Sequence, residues 1–160
     1  MRKVLVLNGP NLNLLGTREP DVYGSATLAD VERLCTAEGA KHGVTVECRQ
    51  TNHEGELIDW LHAAARERAS GDLVGIVLNA AAWTHTSIAL RDAVKGTGVP
   101  VIELHISNTH ARETFRRRSY LSPVARAVIQ GFGVDGYALA IEGLVRSSER
   151  TAHAQRAATQ

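Results

Sequence analysis

Residues 73–78, Leu-Val-Gly-Ile-Val-Leu, run for six positions without a polar side chain. Such a run is too short to span a membrane and too unbroken for a strand with one wet face. It fits a strand covered on both sides, the habit of parallel sheets held between helices. The rest of the chain follows the same plan. Residues 3–7, 44–50, 99–104 and 124–129 have strand character, and the stretches between them space their apolar residues for helices at 26–42, 55–69, 86–95 and 135–148, with a short one at 111–117. Ser25 or Thr27 caps the first helix, whose inner stripe is Leu28, Val31, Leu34 and Cys35. Strict β-α alternation with five strands predicts an α/β fold, a doubly wound five-stranded parallel sheet in a three-layer αβα sandwich. Right-handed crossovers place every β→α loop on the carboxyl edge, and if the strand order is the flavodoxin-like 2-1-3-4-5 the switch point falls between strands one and three. No linker or repeat divides the chain, so residues 1–148 read as one domain. Residues 149–160 lack large apolar side chains and predict a frayed or disordered tail.

Three loops meet at that switch point: 8–24, 79–85 and 105–107. Connections in such folds usually take two to six residues, and the first loop is roughly three times that long. It carries Asn11, Arg18 and Tyr23; the others add Asn79, His85, His105 and Ser107, with Arg112 or Arg116 nearby. Amides, imidazoles, a phenol and guanidinium groups, without a lysine or an obvious nucleophile, suit proton transfer on a small anionic or polyhydroxylated substrate.

Other chemistries fit less well. A net charge of +1 gives no general attraction to nucleic acid or an anionic membrane, and Arg116-Arg117-Arg118 alone reads as a solvated face. Gly131-Phe132-Gly133-Val134-Asp135-Gly136 has dinucleotide-loop spacing, but no strand with an acidic residue follows it. Flavin would want aromatic residues beside its ring, and these loops offer only Tyr23 and Trp83. Seven histidines form no HExxH or paired CxxC pattern, so no metal or other cofactor is expected. Ser87 and Ser107 lack a nucleophile elbow. Imine chemistry needs a lysine in the site, yet Lys3 starts strand one at the far edge and Lys41 and Lys95 end helices. Cys35 and Cys48 read as structural thiols of a reducing cytoplasm. The apolar run after Met1-Arg2-Lys3 is too short for a signal sequence.

Four blocks carry a family resemblance: "NGPNLNLLGTREPDVYG" (8–24), "TNHEGELIDWLH" (51–62), "THTSIALRDA" (84–93) and "ELHISNTHARETFRRRSYLSPVARAVIQGFGVDGYALAI" (103–141). In order and spacing, the chain resembles type II 3-dehydroquinate dehydratase across residues 4–141. It departs at 79–82, Asn-Ala-Ala-Ala where many members have Asn-Pro-Gly-Ala, and at Thr51, where serine is more usual.

The resemblance implies a lyase of the shikimate pathway, a hydro-lyase that removes water from 3-dehydroquinate by anti elimination through an enolate. It marks Tyr23 as general base, with Arg18 favouring the phenolate; a phenol ordinarily titrates near ~10 and is otherwise a poor base at neutral pH. It makes Asn11 the holder of a water against the enolate oxygen and His105 the acid for the departing hydroxyl. Glu103, two residues earlier on the same strand face, would orient that imidazole. Asn79 with the backbone amides of Ile106 and Ser107 resembles the carboxylate cradle, and His85 and Arg116 the ligands of the ring hydroxyls. Arg112 falls near a lid, expected at 17–23 between Gly16 and Gly24. Asp92, about two turns into its helix, would enter a neighbouring subunit's site, in a homododecamer built as a tetramer of trimers. The alternatives are a flavodoxin-like binding or signalling module with a decayed site, and another lyase or isomerase acting on a cyclic hydroxy-ketone acid.

Overall fold

The computed structural model describes residues 1–158. Five parallel strands, β1 (Lys3–Asn8), β2 (Thr45–Gln50), β3 (Leu73–Asn79), β4 (Val101–His105) and β5 (Ala127–Gln130), form one sheet in the order β2-β1-β3-β4-β5. The helices are α1 (Pro20–Tyr23), α2 (Leu28–Lys41), α3 (Glu54–Ala69), α4 (Ile88–Thr97) and α5 (Asp135–Ala158). Successive β1 side chains point to opposite faces, so Val4 and Val6 pack with Val31 and Cys35 of α2 and Ile141 and Leu144 of α5. Leu5 and Leu7 pack on the other face with Leu57 and Leu61 of α3 and Leu90 and Val94 of α4. β3 is buried along its whole length, as its unbroken apolar run requires. A β-carbon at Gly75 would come within 2.7 Å of the Leu144 side chain, so glycine there lets α5 lie close on the sheet.

The element boundaries shift where local hydrogen bonding overrides periodicity. Of the two candidate caps for α2, Thr27 takes the role: its Oγ1 accepts from the Asp30 N–H, while the Asp30 carboxylate accepts from the Thr27 N–H. Ser87 caps α4, because residues Ala81–His85 are used in a 3₁₀ turn. The expected helix at 111–117 is two 3₁₀ turns, Thr109–Ala111 and Thr114–Arg117, parted by an extended Arg112. β5 starts at Ala127 because the N–H groups of Val124 and Ala125 both turn back to the Leu121 carbonyl. The predicted loose tail is corrected over most of its length: α5 runs unbroken to Ala158, and the remaining residues, 159–160, lie outside the described residues. Alanine, glutamine and arginine are strong helix formers, and no glycine or proline follows Gly143 to stop the helix.

Candidate active site

β1 and β3 end side by side, with Asn8 opposite Asn79 in the register. The connections leaving them diverge to opposite faces, and a cleft opens between. It is lined by Asn11, Arg18, Tyr23, Asn79, His85, His105, Ile106, Ser107, Arg112 and Arg116, together with Pro10, Leu12, Ala81, Ala82 and Thr109. Ten of the twelve residues expected from the sequence therefore share one cavity. Glu103 lies beneath it, and Asp92 does not reach it. Asp92 sits on the outer groove between α3 and α4, with its side chain 66% exposed and Arg91 at 3.4 Å.

The first loop reaches the cleft through three left-handed backbone positions. Asn11 (φ 67°) turns the chain into a 3₁₀ turn, Leu12–Leu14, and its N–H donates to the Asn52 side chain at 2.9 Å. Gly16 and Glu19 then bring in α1, which carries Tyr23. Gly9 is required by proximity, since a β-carbon there would lie 2.6 Å from the Ala80 carbonyl oxygen.

Two guanidinium groups flank Tyr23. Arg112 Nη1 donates to the Tyr23 hydroxyl at 2.7 Å and to Ser107 Oγ at 3.3 Å. Arg18 lies over the ring at 5.7 Å and pairs with Glu19 at 3.4 Å. The sequence places Arg112 near a lid; the fold places it on the phenol oxygen. The extended backbone at Arg112, between the two 3₁₀ turns, turns its side chain back into the cleft.

His105 closes β4 and bonds through Nε2 to Glu103 at 2.7 Å. Glu103 is 1% exposed, and its carboxylate also accepts from Ser119 Oγ at 2.6 Å and Ser122 Oγ at 2.5 Å. Burial alone would push this carboxyl up, but the hydrogen bonds from His105, Ser119 and Ser122 outweigh it and hold the group below its ordinary range. The two serines lie within the matching block at 103–141, but nothing in their spacing assigned them to Glu103. His85 stacks on His105 at 6.3 Å and donates Nδ1–H to the Arg118 carbonyl at 2.6 Å. Burial, then the nearby His105 and Arg116, push its imidazole below the usual range even though the Arg118 carbonyl favours the charged form. Neutral His85 therefore presents an unprotonated Nε2 as an acceptor.

No lysine lines the cleft. Lys3 is held at the opposite edge by Glu47 and Glu67, at 2.8 and 2.7 Å, and Lys41 pairs with Glu38. Among the described residues, no group of three or more His, Cys, Asp or Glu side chains is placed to hold a metal ion.

The fold is a flavodoxin-like α/β sandwich, and a phenol and two imidazoles line one polar cleft at its carboxyl edge. The family described as dehydroquinase class II matches residues 2–145, and the chain belongs to it. It is 69% identical over 145 residues to a 3-dehydroquinate dehydratase of Variovorax paradoxus (strain S110), covering 91% of this chain and 99% of that one. It is 70% identical over 145 residues to a 3-dehydroquinate dehydratase of Acidovorax ebreus (strain TPSY), covering 91% and 98%. Among solved structures, the type II dehydroquinase from Propionibacterium acnes superposes with a TM-score of 0.85 at 42% identity, over 91% of this chain and 97% of that one.

Proposed function

We propose that the protein dehydrates 3-dehydroquinate to 3-dehydroshikimate by anti elimination through an enolate, as a step of the shikimate pathway. The observation that carries this reading is the pairing in one cleft of a cation-held phenol, Arg112–Tyr23, with a carboxylate-held imidazole, Glu103–His105. Tyr23, as phenolate, takes the proton from the carbon beside the ketone, and Arg112 and Arg18 stabilise the phenolate before that transfer. The electron pair moves onto the ketone oxygen, giving an enolate, which a water held by Asn11 stabilises. The enolate re-forms the ketone as the carbon–hydroxyl bond breaks, and His105 gives its proton to the departing hydroxyl. Water leaves, and the conjugated enone remains. Glu103 fixes the His105 ring through the bond at Nε2.

Asn79 and the backbone amides of Ile106 and Ser107 cradle the substrate carboxylate, while His85 and Arg116 hold ring hydroxyls. The 17–23 segment acts as a lid that closes over the bound substrate, with Gly16 and Gly24, both at positive φ, as its hinges. Asp92, exposed on α4, completes a neighbour's site in a homododecamer of four trimers. The enzyme works in the cytoplasm, where its free Cys35 and Cys48 stay reduced.

The test is the appearance of enone absorbance when the purified protein meets 3-dehydroquinate without added metal; no signal at about micromolar enzyme would overturn the assignment. Tyr23→Phe should lower kcat by about 10²- to 10⁴-fold, the usual contribution of a general base, with KM little changed. Retention of most of kcat would reduce Tyr23 to a packing role.

A further inference from the structure

A fully buried tyrosine that lines no part of the cleft joins the two strand ends beneath it. Tyr137, in the first turn of α5, is 0% exposed. Its hydroxyl accepts from Asn79 Nδ2 at 3.0 Å and donates to Asn8 Oδ1 at 2.6 Å. The direction of this chain of bonds is set by a group with no choice. The backbone N–H of Ala81 can only donate, and it donates to Asn79 Oδ1 at 3.2 Å. Asn79 must then turn its Nδ2 toward Tyr137, so the phenol oxygen accepts there and its single proton goes on to Asn8. Burial holds the Tyr137 phenol far above the usual range, and that proton stays in place. Asn8 Nδ2 has no hydrogen-bond partner although Asn8 is 0% exposed. An apolar side chain would avoid that cost; asparagine supplies the acceptor that Tyr137 requires.

Asn79 is thus held at both ends. Its oxygen accepts from Ala81 and one amide hydrogen goes to Tyr137, which fixes the amide plane and leaves the second Nδ2 hydrogen outside these two bonds. We propose that Tyr137 is a positioning residue: through Asn8 and Asn79 it fixes the orientation of the Asn79 amide, and with it a hydrogen-bond donor, at the floor of the active site, and so favours a substrate that offers a carboxylate oxygen there. This rests on the reading that Asn79 binds the carboxylate of 3-dehydroquinate. Tyr137→Phe removes one oxygen and little volume, and Asn79 can then rotate.

The experiment compares Tyr137→Phe, Asn79→Ala and the double variant in the full chain, with thermal unfolding as the check on folding. Tyr137→Phe should raise KM about tenfold while kcat stays within about threefold, and the double variant should show no KM increase beyond that of Asn79→Ala. An unchanged KM in Tyr137→Phe, or KM effects that multiply in the double variant, would overturn the inference, because a purely structural tyrosine acts independently of Asn79. Should Tyr137→Phe not fold, Asn8→Leu removes the proton's acceptor and should raise KM severalfold, again only while Asn79 is present. A wild-type protein without dehydratase activity would instead overturn the functional reading, a result separable from either variant's behaviour.

Discussion

Replacing Arg112 by alanine removes the guanidinium that bonds directly to the Tyr23 hydroxyl, 2.7 Å away. If Tyr23 reacts as a phenolate, the loss is electrostatic and its size can be worked out. Unit charges about 4 Å apart attract by about 4 kcal/mol at an effective dielectric near 20. The Arg112 side chain is only 13% exposed, but the cleft admits water, and Arg18 remains over the same ring at 5.7 Å. Taking about half of the attraction as the net loss gives about 2 kcal/mol, or roughly a thirtyfold fall in kcat. Initial rates of enone formation measure it. At neutral pH the variant should be slower by that factor. Arg112→Lys should recover part of the rate, because it keeps the charge but loses the planar guanidinium that lies over the Tyr23 ring at 5.1 Å. A kcat within about threefold of wild type in Arg112→Ala would refute the charge argument and leave Arg112 a merely geometric role.

Two further outcomes concern stability. Glu103 is held below its ordinary carboxylate value of 4.5, so its contribution is complete above about pH 4.5 and is lost as pH falls through the folded-state value. Urea unfolding should therefore weaken less steeply on acidification in Glu103→Gln than in wild type, and equal slopes would mean that Glu103 is not ionised in the native protein. Ala81 holds φ at 50°, a left-handed conformation that costs a non-glycine residue about 1–2 kcal/mol. After the greater freedom of unfolded glycine is subtracted, Ala81→Gly should stabilise by roughly 0.5–1 kcal/mol and raise Tm by about 2 °C. A lower Tm would show that the Ala81 methyl packing outweighs the strain.

The β-α alternation was legible because each strand announces its own surroundings, and the order 2-1-3-4-5 came with the flavodoxin-like type that the alternation fits. The unbroken apolar run of β3 could only be a strand covered on both faces, and the alternation of such runs with amphipathic helices left few topologies open. From that order the switch point follows, and with it the loops that carry Asn11, Tyr23, Asn79, His85 and His105. The C-terminal end of α5 was not legible, because the apolar stripe marks where a helix is buried, not where it stops; propensity carries it on to Ala158 in mostly exposed positions.

What the sequence by itself determined is therefore the sheet, its carboxyl edge and the residue types gathered there, since periodicity and turn chemistry are local properties. Only the tertiary structure decided which of those residues touch. Arg112 comes to the Tyr23 oxygen because an extended residue between two 3₁₀ turns redirects its side chain, and no periodicity encodes that direction. Ser119 and Ser122 reach Glu103 across 16 and 19 residues of chain, and Tyr137 reaches Asn8 across 129. Hydrogen bonds of that span depend on side-chain orientations fixed to within tenths of an ångström, and those are set when the helices pack on the sheet.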